Sequence, residues 1–203
     1  TLLKPDQPLL LVADPDRIEE IGRSGLPNYF DDKPPHSFLE VKGAKAVGVE
    51  MHSCSKTYSM TGWRIGFAVG NAEVLKALSQ VKDNFDSGVF GAAQEAAIAA
   101  RTGPQDCVVQ ARKMYQERRD TLVLGLTKLG WQVHLPRATF YVWTKVPGGK
   151  SVAAASRILD EAGVVCTPGI GFGPSGEGYL RFALTQSVSR IQEAVTRIAK
   201  LRW

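Results

Sequence analysis

Cysteine is scarce in this 203-residue chain, and its three copies, Cys54, Cys107 and Cys166, stand far apart. None belongs to a Cys-x-x-Cys pair and none has a histidine pair beside it, so the usual zinc spacings are excluded and no metal site is expected. An odd cysteine count without a secretory signal leads us to expect a reducing, cytoplasmic setting. Long apolar runs are missing too. None approaches the roughly 20 residues that a membrane helix needs, so no membrane association is expected. Charge of one sign is nowhere concentrated. The net charge is +5, but basic residues such as Arg112, Lys113, Arg118 and Arg119 are interrupted by acids. That is the pattern of a solvated helix face, and no nucleic-acid partner is expected. Internal repeats and low-complexity tracts are absent as well.

What is present is an ordinary globular composition. Apolar residues make up 44% of the chain, enough to bury a core in one domain or a domain and a half. Residues 1–35 are the least regular segment: "LLLVADPD" suits a short strand and turn, and "GRSGLPNYFDDKPP" is rich in turn formers. "AVGVEMHS" and "IGFAVG" read as strands. "NAEVLKALSQVKDNF" reads as a helix capped by Asn71, with Val74, Leu75, Leu78 and Val81 at helical spacing. "GAAQEAAIAART" is a second helix, broken at Gly103-Pro104. A long helix then runs from Pro104 to about Leu129 and stops at Gly130. Beyond it the rhythm changes. "WQVHLP" and "TFYVWTKV" look like paired strands, "SVAAASRILDEAG" is a helix ended by Gly163, "VVCTP" and "YLRFALT" are strands, and "SVSRIQEAVTRIAKLR" is an amphipathic helix. The order βα, two helices, then ββαββα describes an α/β protein whose long helix connects two α/β units.

Lys56 is surrounded by Ser53, Ser55, Thr57, Ser59 and Thr61, in a segment between two expected strands. A lone surface lysine is ordinarily only solvated. Loops at strand ends, however, are where α/β folds place chemistry, and a lysine there can form a Schiff base with an aldehyde. Arg64 adds a permanent cation suited to bidentate phosphate binding. An amine for an aldehyde and a guanidinium for a phosphate together suggest pyridoxal phosphate.

"SCSKTYSMTGWRIG" closely resembles the Ser-x-Ser-Lys-x-x-x-x-x-Gly-x-Arg-x-Gly signature of class I/II aminotransferases, the fold-type-I pyridoxal-phosphate enzymes. The resemblance implies that Lys56 is the Schiff-base lysine, that Ser53 and Arg64 bind the cofactor phosphate, and that Ser55 is a further phosphate candidate. "PPHSFLEVKGAKAVGVEMHS" and "DSGVFGAAQEAAIAA" resemble the stretches before the lysine and at the start of the interdomain helices. "EAGVVCTPGIGFGPSGEGYLRFALT" resembles the small-domain segment that ends in the substrate-carboxylate arginine, here Arg181. An arginine between Leu180 and Phe182 in an apolar strand otherwise lacks a reason, although an outward-facing strand position would also accommodate it. Pro168, Gly169, Gly171 and Gly173 would shape a loop over the substrate. Tyr58 would line the site, and Phe140 is better placed in the core. The implied fold is the C-terminal part of the fold-type-I large domain, over residues 36–103, followed by an interdomain helix and small α/β domain over 104–203. The implied reaction moves an amino group between an amino acid and a 2-oxo acid, in a homodimer, with LL-diaminopimelate, aspartate and alanine as the substrates of the most similar members.

One part of the family pattern is not found. An Asp-x-x-Tyr pair that holds the pyridine nitrogen protonated should lie a little upstream of "DDKPP", where the sequence reads "EEIGRSGLPNYF". We therefore expect a truncated or internally deleted aminotransferase of low activity. A non-catalytic remnant that binds a partner, or the cofactor weakly, and a different pyridoxal-phosphate reaction, such as a C–S lyase or 1-aminocyclopropane-1-carboxylate chemistry, remain as alternatives.

Overall fold

The computed structural model describes residue 30, residues 37–86 and residues 88–203. Expectations for "LLLVADPD", for most of "GRSGLPNYFDDKPP" and for the missing Asp-x-x-Tyr fall outside the described residues. The chain divides into two compact units, one ending at Gln110 and the other starting at Ala111.

In the first unit, Ser37 caps a short 3-10 turn, Phe38–Glu40, in a reciprocal capping box with Glu40. Helix α1, Ala44–Val47, leads into strand β1, Val49–Ser53, and helix α2, Cys54–Thr57, follows without a break. After a 3-10 turn at Thr61–Trp63 the chain returns as strand β2, Gly66–Gly70. The two strands pair antiparallel, from Val49 opposite Gly70 to Ser53 opposite Gly66. Glycine at both ends of β2 is a steric requirement. A Cβ at Gly66 would stand 2.5 Å from the His52 carbonyl oxygen, and one at Gly70, where φ is +146°, would stand 2.4 Å from Val49 Cα. Asn71 then caps helix α3, Ala72–Asp83, its Oδ1 accepting from the amides of Glu73 and Val74 at 2.9 and 3.0 Å. Helix α4, Gly91–Thr102, supplies Ala93 and Ala97 to a small core with Cys54, Met60 and Ile65. These two alanines lie one helical turn apart, so α4 turns one narrow face to the segment that carries Lys56.

Helix α5, Asp106–Lys128, begins in the first unit and runs on into the second, where Leu122 and Leu126 are buried. Strand β3, Tyr141–Lys145, helix α6, Ser151–Ala162, the short strand β4, Thr167–Pro168, strand β5, Tyr179–Ala183, and helix α7, Val188–Ile198, complete the chain. The sheet order is β3-β5-β4 and both pairings are antiparallel. One face of the sheet, with Val142, Leu180 and Phe182, enters a core that also holds Leu126, Trp131, Ile158, Leu184, Ile191 and Ile198.

Two expected strands are largely replaced. "WQVHLP" contributes one bridge, between Val133 and Thr144, and no strand. The carbonyl of Pro136 accepts instead from the buried Arg119 on α5, and proline has no amide to continue a ladder. "VVCTP" contributes only Thr167–Pro168, because Gly163, in a left-handed conformation, and Val164 donate back to Leu159 and Ile158 and close α6.

Candidate active site

Lys56 lies at the tip of the β1–β2 hairpin, in a segment that folds back on itself. Ser53 ends β1 and caps α2, its Oγ accepting from the Ser55 amide at 3.1 Å. Thr61 Oγ1 donates to the Ser55 carbonyl at 2.9 Å, and Arg64 Nη1 donates to the Thr61 carbonyl at 2.9 Å. The Cys54 amide donates to the Ile65 carbonyl at 3.2 Å and shuts the base of the segment. The four residues singled out here, Ser53, Ser55, Lys56 and Arg64, thus belong to one hydrogen-bonded tip. Ser53, Lys56 and Arg64 are exposed, while Ser55 is buried. Ser59 and Arg64 both have positive φ, +55° and +51°, in the left-handed region that ordinary residues avoid. Strain of that kind gathers where side chains must be aimed.

Tyr58 is half-buried beside the tip. Its hydroxyl donates to Gln105 Oε1 at 3.1 Å, and Gln105 Nε2 in turn reaches the carbonyls of Ala100 and Gly103. Burial raises the Tyr58 pKa, against the opposing charge of Arg101. Cys54 is fully buried, and burial raises its pKa as well. Burial pushes Cys166 up to about 11. Neither thiol is disposed to act as a nucleophile. A further network lies on β1: Ser37 Oγ donates to buried Glu50 at 2.5 Å, and His52 Nε2 meets the other carboxylate oxygen at 2.9 Å. Burial alone would raise the Glu50 pKa, but the hydrogen bonds from Ser37 and His52 outweigh it and hold the carboxyl below its ordinary range.

Arg181 belongs to the second unit. It alternates out of the core, between the buried Leu180 and Phe182, on the sheet face shared with Trp143, its register partner. Its guanidinium carbon sits over the Tyr141 ring at 4.2 Å and over the Phe172 ring at 4.4 Å. Trp143 packs edge-on to Phe172 and stacks on Tyr179. Among the described residues Arg181 has no hydrogen-bond or ion-pair partner. Phe140 packs on the core of the second unit. Nothing in the sequence marks Tyr141 or Phe172 as a neighbour of Arg181. The alternation of "TFYVWTKV" puts Tyr141 and Trp143 on one face, but only the register brings that face to Arg181.

The donor set at the hairpin tip is a primary amine with hydroxyls and a guanidinium, which fits an aldehyde-bearing phosphate. Among the described residues no cluster of three histidine, cysteine, aspartate or glutamate side chains could hold a metal ion, and no helix is long and apolar enough to cross a membrane. Residues 29–198 match the family described as aminotransferase class I and II. The chain belongs to that family.

Its relatives agree. The chain is 56% identical over 173 residues to an LL-diaminopimelate aminotransferase of Syntrophobacter fumaroxidans, an alignment that takes in 85% of this chain and 45% of that protein. Among solved structures it is similar to apo-BacF from Bacillus subtilis, with a TM-score of 0.80 and 38% identity over 87% of this chain and 48% of that one. A probable N-succinyldiaminopimelate aminotransferase from Thermus thermophilus also matches, with a TM-score of 0.80 and 31% identity over 87% of this chain and 48% of that one. The chain thus spans about half the length of the aminotransferases it resembles, and its mixed α/β architecture is part of the fold-type-I aminotransferase fold.

Proposed function

We propose that this chain carries the lysine-bearing and C-terminal portion of a pyridoxal-phosphate-dependent aminotransferase. The observation that carries the reading is the closed hairpin tip, which presents Lys56 and Arg64 from one hydrogen-bonded segment between β1 and β2. In this reading Lys56 Nζ holds the cofactor aldehyde. Ser53, Arg64 and, secondarily, Ser55 hold its phosphate, and Arg181 binds the substrate α-carboxylate. When bound, the cofactor supplies a conjugated ring that takes up the electron pair of the breaking α-C–H bond. The chain's own groups do the rest. Arg181 orients the amino acid through its carboxylate. The Lys56 amine, once free of the aldehyde, accepts the α-proton and returns it. Arg64 and Ser53 keep the phosphate fixed and do not select the substrate.

The relatives' activity makes LL-diaminopimelate the first amino donor to test, with a 2-oxo acid as acceptor. Residues 36–103 are assigned to the cofactor-binding large domain and residues 104–203 to the interdomain helix and small domain. A cytoplasmic homodimer is the assembly proposed, and the three cysteines, all unpaired, agree with a reducing compartment.

The test is to incubate the purified chain with pyridoxal phosphate, reduce it with borohydride and map the modified peptide by mass. Label confined to Lys56, and lost in Lys56→Ala, is the expected result. No label, or label spread over many lysines, refutes the reading and leaves a non-catalytic remnant. Once Lys56 labels, product analysis separates amino transfer, which gives a 2-oxo acid and a new amino acid, from lyase chemistry, which gives ammonia or a cyclised product.

A further inference from the structure

We propose that Tyr141 and Phe172 are positioning residues that hold the Arg181 guanidinium between their rings, so that its N–H edge alone is open to receive a carboxylate in its own plane. The proposal rests on the reading of Arg181 as the carboxylate-binding residue. Three observations carry it.

The first is the pair of ring contacts, at 4.2 and 4.4 Å from the guanidinium carbon. A guanidinium donates in its plane and is attracted to rings through its faces. A ring packed on a guanidinium face leaves the donors to the edge, the direction that suits a planar carboxylate. The second is that Arg181, half-buried, satisfies none of these donors among the described residues. A guanidinium held that way is prepared for an anion from outside the unit.

The third is the construction of the loop that delivers Phe172. Phe172 lies in the 3-10 turn Gly169–Phe172, and the loop closes at a neck where Gly169 and Gly176 cross. A Cβ at Gly169 would stand 2.1 Å from the Gly176 carbonyl oxygen, and one at Gly176 would stand 2.0 Å from that of Gly169. No side chain fits at either position. Glu177, just past the neck, accepts from the Ser151 amide at 2.8 Å and from Ser151 Oγ at 3.0 Å, which fastens the neck to the first turn of α6. The Ile170 amide reaches Ser151 Oγ from the other side of the neck, at 3.4 Å. The ring of Phe172 is therefore set by a fastened loop, and Arg181 is set by the ring. Unlike the arginine, neither ring needs to touch the substrate for this role.

The test uses the 203-residue chain labelled with 15N and 13C at arginine. The probe is propionate, a carboxylate with no amine, which cannot react at Lys56. In the unaltered chain the Arg181 Nε–H signal should be displaced by ring currents and should move saturably with propionate. Phe172→Ala and Phe172→Leu should both lose the Phe172 share of the displacement, keeping that of Tyr141, and weaken propionate binding about five-fold, the effect of removing one cation–π partner. Phe172→Tyr should keep both. Leucine retains bulk at a half-exposed loop position, so a folding defect does not stand in for the ring. Equal propionate affinity in the Ala, Leu and unaltered chains, or no saturable response at Arg181 in the unaltered chain, overturns the proposal. A ring-dependent response together with failed Lys56 labelling supports the geometry at Arg181 while removing the aminotransferase reading.

Discussion

Arg64 is a side chain that the sequence marks for phosphate binding, on a backbone that arginine does not favour. The left-handed conformation, φ +51° and ψ +48°, costs an ordinary L-residue about 1–2 kcal/mol, and glycine almost nothing. The exposed hydrogen bond from Arg64 to the Thr61 carbonyl returns at most about 0.5–1 kcal/mol. Replacement by glycine relieves the backbone but adds about 0.4–1 kcal/mol of unfolded-chain freedom. Arg64→Gly should therefore be close to the unaltered chain in stability. Arg64→Ala keeps the backbone penalty and loses the hydrogen bond, so it should be less stable than the glycine variant by about 1 kcal/mol, the reverse of the usual preference for alanine. Urea denaturation followed by circular dichroism measures both. Pyridoxal phosphate tests the proposed phosphate contact separately from the backbone. If the chain binds it as proposed, ligand at a hundred times its dissociation constant should stabilise the unaltered chain by about 2.7 kcal/mol. Loss of charge-assisted bonds worth roughly 1.5–3 kcal/mol should remove most of that increment from both variants. An alanine variant as stable as the glycine variant would refute the strain argument, and an undiminished ligand increment in either would refute the phosphate assignment.

Two other perturbations probe each unit separately. Gly125→Ala on α5 should destabilise the second unit by about 1 kcal/mol. A Cβ there would stand 2.7 and 2.8 Å from the Cγ atoms of the stiff Val195 side chain, and overpacking of about 1–3 kcal/mol outweighs a helix-propensity gain of about 1. Adding Val195→Ala should recover part of that loss in a double-mutant cycle read by tryptophan fluorescence. Glu50→Gln addresses the first unit. Because the folded-state pKa of Glu50 is depressed, its contribution is present above the ordinary value near 4.5 and is lost as the pH falls through the lower folded value. The variant should cost about 1–3 kcal/mol at pH 7 and progressively less in acid, and a cost independent of pH would show that the carboxylate charge is not what matters.

Much of this architecture is legible in local chemistry. Asn71, Gly130 and Gly163 mark helix ends because a cap or a left-handed turn is a property of one residue and its neighbours, and all three sit where such signals place them. Lys56 and Arg64 are legible for a similar reason, being eight residues apart on one hairpin tip. The strands read less well. Alternation suggests ladders at "WQVHLP" and "VVCTP", but whether a strand forms depends on a partner edge. There the carbonyls and amides are taken by Arg119 and by the closure of α6. The surroundings of Arg181 are illegible for the same reason. Tyr141 lies 40 residues before it, and only antiparallel pairing puts the two on one face. The Ser37–Glu50–His52 network joins residues whose polarity alone suggests surface positions, because burial of a carboxylate depends on partners that arrive from a different element.

The crossing of Gly169 and Gly176 has an evolutionary consequence. A loop whose two ends are locked together communicates with the rest of the unit through its neck, so what lies between them can be exchanged as a cassette. Residues 170–171 and 173–175 can be rewritten with β4, β5 and α6 in place, provided the two glycines, the Ser151–Glu177 fastening and the Phe172 ring beside Arg181 are kept. The loop sequence around Arg181 can then drift at its other positions while the scaffold stays constant. For an engineer, the neck marks the cut points at which a loop from a relative can be grafted.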